Sequence, residues 1–188
     1  MSYAEFDYWT LKKYVPDYIC DEIVKNHTDF EGARSSTRPW NTDERENYRK
    51  SDIYWIKDPF YKHLFFDVIS RENYDSGLNF QLEYIEDLQL TRYIAPDGHY
   101  NFHRDDDGHS RRNIDDSVRK ISVTCLLTDP SEFEGGNFQI LTSDTPYDVK
   151  LEKGDIIMFP SYLLHRVSPV TKGVRHSLVA WANGRAFV

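Results

Sequence analysis

The spacing of apolar positions divides the chain at about residue 79. Before it, apolar residues recur at helical intervals. In "PDYICDEIVKNHTD" (16–29), Tyr18, Ile19, Ile23 and Val24 form one stripe, Pro16 suits a first turn, and Asp17, Asp21 and Glu22 lie toward the N-terminal end. That pattern predicts a helix. "DPFYKHLFFDVISRENY" (58–74) predicts a second. The stretch between, 31–50, is polar and aperiodic and reads as a loop. After residue 79 the period falls to two. Phe80, Leu82 and Tyr84 alternate, then Leu88, Leu90 and Arg92. Short runs follow at 120–128, 135–141, 147–151, 155–160, 163–170 and 175–183, punctuated by "EGG", "EKGD" and "TKG". Two helices followed by about eight strands predict a mainly β protein with flanking helices (α+β). A double-stranded β-helix, or jelly roll, fits the count. The expected layout is one domain over 1–188, with helical support to about residue 78 and the jelly-roll core over 79–188.

Composition agrees with a folded protein and narrows its partners. The chain is 39% hydrophobic and 15% aromatic over 188 residues, enough for a sizeable core. A net charge of −8 disfavours a general nucleic-acid or acidic-membrane surface, because phosphate binding needs clustered cations. No stretch approaches the roughly 20 apolar residues of a membrane span, and the N-terminus lacks a secretory pattern. Cys20 and Cys125 then read as reduced thiols of a soluble, cytoplasmic protein.

The candidate chemistry lies in "YNFHRDDDGHSRR" (100–112). In a strand, residues two apart share a face, so His103 and Asp105 can present an imidazole and a carboxylate to one metal ion. Arg104 then points away. Asp107 lies about 7 Å further along, too far for the same ion, and His109 follows the break at Gly108. A third ligand must come from elsewhere, and His165, a polar ring in the apolar run "FPSYLLHRVSPV", is the best candidate. Two histidines and one carboxylate suit Fe(II), with coordination positions left for substrate and oxygen. Arg175, ten residues after His165 with a glycine turn between, can face the same cavity. A buried guanidinium needs an anion, and a carboxylate matches its fork. A dicarboxylate such as 2-oxoglutarate, chelating the metal at one end and meeting Arg175 at the other, explains both features. The sequence carries no G-x-S-x-G, no phosphate-binding GKS or GKT and no H-E-x-x-H, and "DDDG" lacks the spacing of a calcium loop.

From about Leu88 to Gly184, the ordered pieces "RYIAPDGHYNFHRD", "RKISVTCLLTDPSEFEGGNFQIL" and "KGDIIMFPSYLLHRVSPVTKGVRHSLVAW" resemble the Fe(II)/2-oxoglutarate-dependent oxygenases. The resemblance is closest to the prolyl 4-hydroxylase-like group and its PKHD-type relatives. It implies that His103, Asp105 and His165 bind iron and that Arg175 holds the distal carboxylate of 2-oxoglutarate. It implies that Tyr93 hydrogen-bonds the co-substrate near the metal and that Ser122 and Thr124 lie beside it. Trp181 matches a recurrent tryptophan of the last core strand, read here as packing. Two positions depart from the pattern. Asn137 stands where an acid often follows the double glycine, and Leu126 or Leu127 stands where some prolyl hydroxylases carry a second carboxylate-binding tyrosine.

The resemblance further implies a dioxygenase that uses Fe(II), 2-oxoglutarate and O2. It would hydroxylate an unactivated C–H bond while 2-oxoglutarate is decarboxylated to succinate and CO2. Ascorbate is an auxiliary of some such enzymes. No side chain beyond the metal ligands is required as a catalyst. The expected substrate is a prolyl residue in a peptide or protein. Two other readings stay open: an oxygenase of the same superfamily acting on a small molecule, a free amino acid or a nucleic-acid base, and a non-enzymatic jelly-roll sensor that binds metal.

Overall fold

Strand pairing explains how the residues named above can meet. In the computed structural model, residues 8–33, 47–106 and 117–186 are described. Most of the loop expected at 31–50 lies outside them, as do Asp107, His109 and the rest of the charged flank to residue 116. In chain order the elements are β1 (Trp9–Leu11), α1 (Asp17–Asn26), β2 (Glu31–Gly32), β3 (Arg49–Lys50), β4 (Asp52–Ile56) and α2 (Pro59–Asp75). There follow β5 (Tyr84–Ile85), β6 (Leu88–Ile94), β7 (Gly98–His103), β8 (Ser117–Leu126), a 3-10 turn (Pro130–Glu132) and β9 (Phe133–Gly135). The chain ends with β10 (Phe138–Ile140), β11 (Tyr147–Val149), β12 (Ile156–Pro160) and β13 (His165–Arg185). The fold is mainly β, antiparallel and of the jelly-roll type, with few helices.

The long strand β13 joins two sheets. Its C-terminal half lies in a major sheet of order β1-β12-β8-β13-β6-β4-β2. Its N-terminal half lies in a minor sheet, between β7 on one edge and β10 and β9 on the other. The sequence predicts two strands here with a reversal between them. Instead one strand bends. Lys172 and Gly173 still pair with β9, and Val174 already pairs with Ile94 of β6. Gly173 permits the bend with φ +72, and a Cβ there would lie 2.1 Å from Glu132 O.

Two further differences have local causes. The alternation over 79–85 yields a strand only at Tyr84–Ile85. Upstream, the Asn73 side chain takes a strand neighbour's place: Phe80 N donates to its Oδ1 (2.9 Å) and its Nδ2 donates to Phe80 O (3.0 Å). The N-terminal third also supplies strands as well as helices. β1 pairs with β12, and β4 pairs with β6 along its whole length. These runs are short, and in β4 only Ile53 and Ile56 are buried, so neither period stands out.

One face of the major sheet packs against the helices. Cys20 and Ile23 of α1 and Phe65, Val68 and Ile69 of α2 meet Leu88, Leu90, Ile121, Val123, Met158, Leu178 and Ala180. Each such large side chain contributes roughly 1.5–3 kcal/mol by leaving water. The helix starts where it does because Asp58 caps it, accepting from Phe60 N at 2.9 Å, with Pro59 at the first turn. The opposite face turns toward the minor sheet and carries a second apolar cluster around Phe138, Ile140, Ile157, Phe159 and Val167. No described helix is long and apolar enough to cross a membrane.

Asp155, fully buried, ties the segment after β1 to the turn before β12. Its carboxylate accepts from Lys13 N, Glu152 N and Lys12 Nζ, each at 2.8 Å. Replacing it by alanine strands two backbone donors. Asp155→Ala is expected to cost about 2–4 kcal/mol in urea unfolding, while leaving metal affinity in the folded protein unchanged.

Candidate metal centre

His103 ends β7, His165 begins β13, and the two pair directly across the minor sheet. Their side chains are 8% and 6% exposed. Each ring is oriented by its own backbone: His103 Nδ1 lies 2.8 Å from Asn101 O, and His165 Nδ1 lies 2.9 Å from Leu163 O. A carbonyl can only accept, so both Nδ1 atoms carry the proton. In the neutral ring that leaves Nε2 with a lone pair. Burial, reinforced by His165, pushes the His103 pKa well below 6.5, so its ring is neutral near pH 7.

Asp105 completes the group, though strand geometry does not place it. β7 ends at His103, and the chain beyond is held because Asp105 N and Asp106 N both donate to Ser161 O (2.9 and 3.0 Å). Arg104 is exposed, pointing away as expected. Burial opposes ionisation of Asp105, but His165, His103, Arg119 and the Ser122 hydroxyl outweigh it and hold the carboxyl below the usual carboxylate range. Its Oδ1 lies 3.6 Å from His103 Nε2 and its Oδ2 lies 3.6 Å from His165 Nε2.

With each Nδ1 hydrogen committed to the main chain, both rings turn Nε2, the atom a metal ion would take, toward the Asp105 carboxylate. Three ligands about 2.1 Å from a common ion stand roughly 3–4 Å apart, and the donor atoms of His103, Asp105 and His165 all lie within 4.8 Å of one another. The donor set therefore fits a divalent metal, and two imidazoles with one carboxylate suit Fe(II).

These residues open onto a cavity of about 450 Å³ between the sheets. Period-two alternation along β13 carries Ser177, Val179 and Trp181 into its wall, while Leu178 and Ala180 join the helix-side core. Arg175 belongs to the wall's face. It is 1% exposed, and its NH1 has no hydrogen-bond partner among the described residues. Burial pulls its pKa down from the ordinary arginine value, with Tyr93 opposing. Gly136 accommodates its stem: at φ +60, a Cβ there would come within 2.8 Å of Arg175 Cδ.

Tyr93 pairs with Arg175 across β6 and β13, and its ring centroid lies 5.6 Å from the guanidinium carbon. Burial raises its pKa, so the phenol is a neutral donor. Thr124 also lines the cavity. Ser122 is placed differently: its hydroxyl lies 2.9 Å from Ser161 Oγ and acts on Asp105. Of the two leucines at the variable position, Leu126 packs with Tyr93 on the cavity side and Leu127 packs in the helix-side core. Trp181, read from the sequence as packing, also lines the cavity, stacked under Arg119 at 3.7 Å.

Sequence reasoning missed Tyr100 and Arg49, which also line this cavity. Residues three apart in a regular strand face opposite ways, so Tyr100 carries no alternation signal. β7 has a bulge: His103 pairs with His165 and Tyr100 pairs with Val167, setting Asn101 and Phe102 against Arg166 alone. That extra residue brings Tyr100 onto the His103 side.

His176, next to Arg175, supplies a pH test. Burial, then Arg92 and Arg175, lowers its pKa to about 4. Unfolded histidine titrates near about 6.5. Between these values the unfolded chain binds a proton that the folded chain excludes. The group's stabilising contribution is therefore full above about 6.5 and is lost as pH falls toward about 4. Urea titrations of the metal-free protein should show stability falling through that window, less steeply for His176→Gln. An unchanged slope in the variant would contradict the assignment.

Comparison with known proteins agrees with this geometry. The family described as the 2OG-Fe(II) oxygenase superfamily matches residues 88–183. A PKHD-type hydroxylase of Aliarcobacter butzleri (strain RM4018) is 49% identical over 61 residues, which are 32% of this chain and 27% of that protein. The match thus spans little more than a quarter of that relative's length. A prolyl-4-hydroxylase from Pseudomonas putida superposes with a TM-score of 0.72 at 21% identity, covering 97% of this chain and 95% of the other. A prolyl hydroxylase from Trichoplax adhaerens, solved with a hypoxia inducible factor peptide fragment, gives 0.73 at 16% identity, covering 94% and 83%. At such identities the structural likeness is one of fold. The family match takes in just over half of the sequence, from the start of β6 to two residues short of the end of β13, and on that match the chain belongs to the 2OG-Fe(II) oxygenase superfamily.

Proposed function

We propose that the protein is an Fe(II)- and 2-oxoglutarate-dependent dioxygenase that hydroxylates a prolyl residue in a peptide or protein. The observation that carries this reading is a convergent ligand set in the cavity and an unmet buried guanidinium next to a residue of its wall. Three ligand atoms converge at the cavity, and beside Tyr93 of its wall a buried guanidinium has an N–H that no described residue accepts. A divalent cation answers the first and the far carboxylate of a dicarboxylate answers the second.

In this reading His103, Asp105 and His165 hold the metal, and Arg175 receives the distal carboxylate through its NH1. When bound, iron and 2-oxoglutarate supply the oxidation, in which O2 is consumed, 2-oxoglutarate becomes succinate and CO2, and a C–H bond becomes C–OH. The chain's own residues orient and exclude. Tyr93 offers its neutral phenol as a donor beside Arg175. Thr124 lines the co-substrate side, and Ser122 steadies the Asp105 carboxylate. Phe138 and Val167 keep water from the metal face. Trp55 and Trp181, 6.1 Å apart, give the cavity an aromatic wall suited to a pyrrolidine ring. The peptide assignment is supported by the Trichoplax neighbour, a prolyl hydroxylase solved with a peptide fragment.

Anaerobic addition of Fe(II) and 2-oxoglutarate should produce the weak visible charge-transfer band of the chelate. His103→Ala should abolish it, and an intact band in that variant would overturn the ligand assignment. Arg175→Ala should keep the band but raise the half-saturating 2-oxoglutarate concentration by at least about 10-fold, the effect of removing one partner of a buried charge pair. Gly136→Ala should move the same quantity in the same direction. Incubation with a peptide library, read by mass spectrometry for gain of one oxygen atom, tests the substrate. Modified proline supports the reading, and none in any peptide shifts it to a small molecule or a nucleic-acid base.

A further inference from the structure

The bulge in β7 stacks Tyr100 on His103, with ring centroids 3.5 Å apart and planes 16° from parallel. The other face of Tyr100 is also occupied. The Arg49 guanidinium carbon sits 4.3 Å from the Tyr100 centroid, and the near face already belongs to His103. A guanidinium, a phenol and an imidazole therefore form one three-layer stack. Arg49 is itself fixed: its Nε donates to Ser51 Oγ (2.8 Å) and its NH2 donates to Gln89 Oε1 (2.9 Å). The short strand bearing it is registered on β7, Arg49 opposite Tyr100 and Lys50 opposite His99. Asn47 O accepts from Asn101 Nδ2 at 2.8 Å, and Tyr48 packs edge-on to Tyr100 at 5.6 Å.

The bond from His103 Nδ1 to Asn101 O fixes one corner of the imidazole but leaves rotation about that corner. On one side His165 is tilted by 53°, a contact that does not define a plane. The flat contact with Tyr100 does. We propose that Arg49 is a positioning residue for the metal centre, clamping Tyr100 against His103 and so aiming Nε2 at the ion. The proposal rests on the metal reading above. It assigns a role in the centre to the segment before β4, which supplies none of the three ligands. A ligand's lone pair must be aimed within about 10–20° of its target, and groups that orient ligands commonly matter about 10-fold or more in metal affinity.

Titrating Co(II) into the metal-free full chain tests this without turnover. Visible ligand-field bands report geometry, and their saturation reports affinity. Arg49→Met should weaken Co(II) binding about 10-fold and alter the band envelope. Arg49→Lys should recover less than half of the loss, since lysine keeps the charge but not the planar fork. Arg92→Met is the control: Arg92 also lies over an aromatic ring, Phe30 at 4.2 Å, but does not touch His103 or Tyr100. It should bind as wild type does. Affinity within about twofold of wild type, with an unchanged envelope in Arg49→Met, overturns the proposal. Should Arg49→Met not fold, Gln89→Leu loosens the same guanidinium and should weaken binding about threefold; no change there overturns it equally. If His103→Ala binds Co(II) like wild type, the metal reading fails, an outcome distinct from either.

Discussion

Acceptor atoms do not gather in a protein interior without cause. At the meeting of β7 and β13, two imidazole Nε2 atoms each lie 3.6 Å from an oxygen of one ionised carboxylate. Nearby, a guanidinium is buried with an N–H that no described residue accepts. A buried polar group left unmet costs about 1–3 kcal/mol, and a charged one more. The rest of the structure has to hold these groups against their mutual preference to turn away. The helices on the outer face, the second apolar cluster and the Asp155 tie are where that holding energy arises.

The device that sets the distances is a single strand. β13 carries His165 in the minor sheet and Arg175 in the major one. Two separate strands joined by a turn would leave their spacing to loop conformation. One strand bent at Gly173 makes it a property of the backbone. The same strand presents Trp181 to the cavity, so His165, Arg175 and part of the cavity wall share one rigid element.

Much of this was legible in the sequence, for reasons that also explain the rest. β6 shows as alternation because its two faces differ in character, while β8 and β12 show as short apolar runs because both of their faces are buried. His103, Asp105, His165 and Arg175 stood out as polar groups at strand positions; the fold lines one cavity with the first three and sets Arg175 beside Tyr93 of its wall. Their roles as ligands were read from chemistry and resemblance, while the reason for Asp105's position, two amides on Ser161 O, has no signature in H-x-D. Tyr100 and Arg49 were invisible because a bulge breaks parity and because a two-residue strand has no period. The alternation at 79–83 misled because a side chain, Asn73, took a strand's place.

Both histidines of the centre bond to the carbonyl two residues before them, His103 to Asn101 and His165 to Leu163. The choice of which nitrogen keeps its hydrogen is thereby written into two tight arcs of main chain, with no help from distant side chains. An ion at this point would meet two Nε2 atoms already turned toward it, with no ring left to flip.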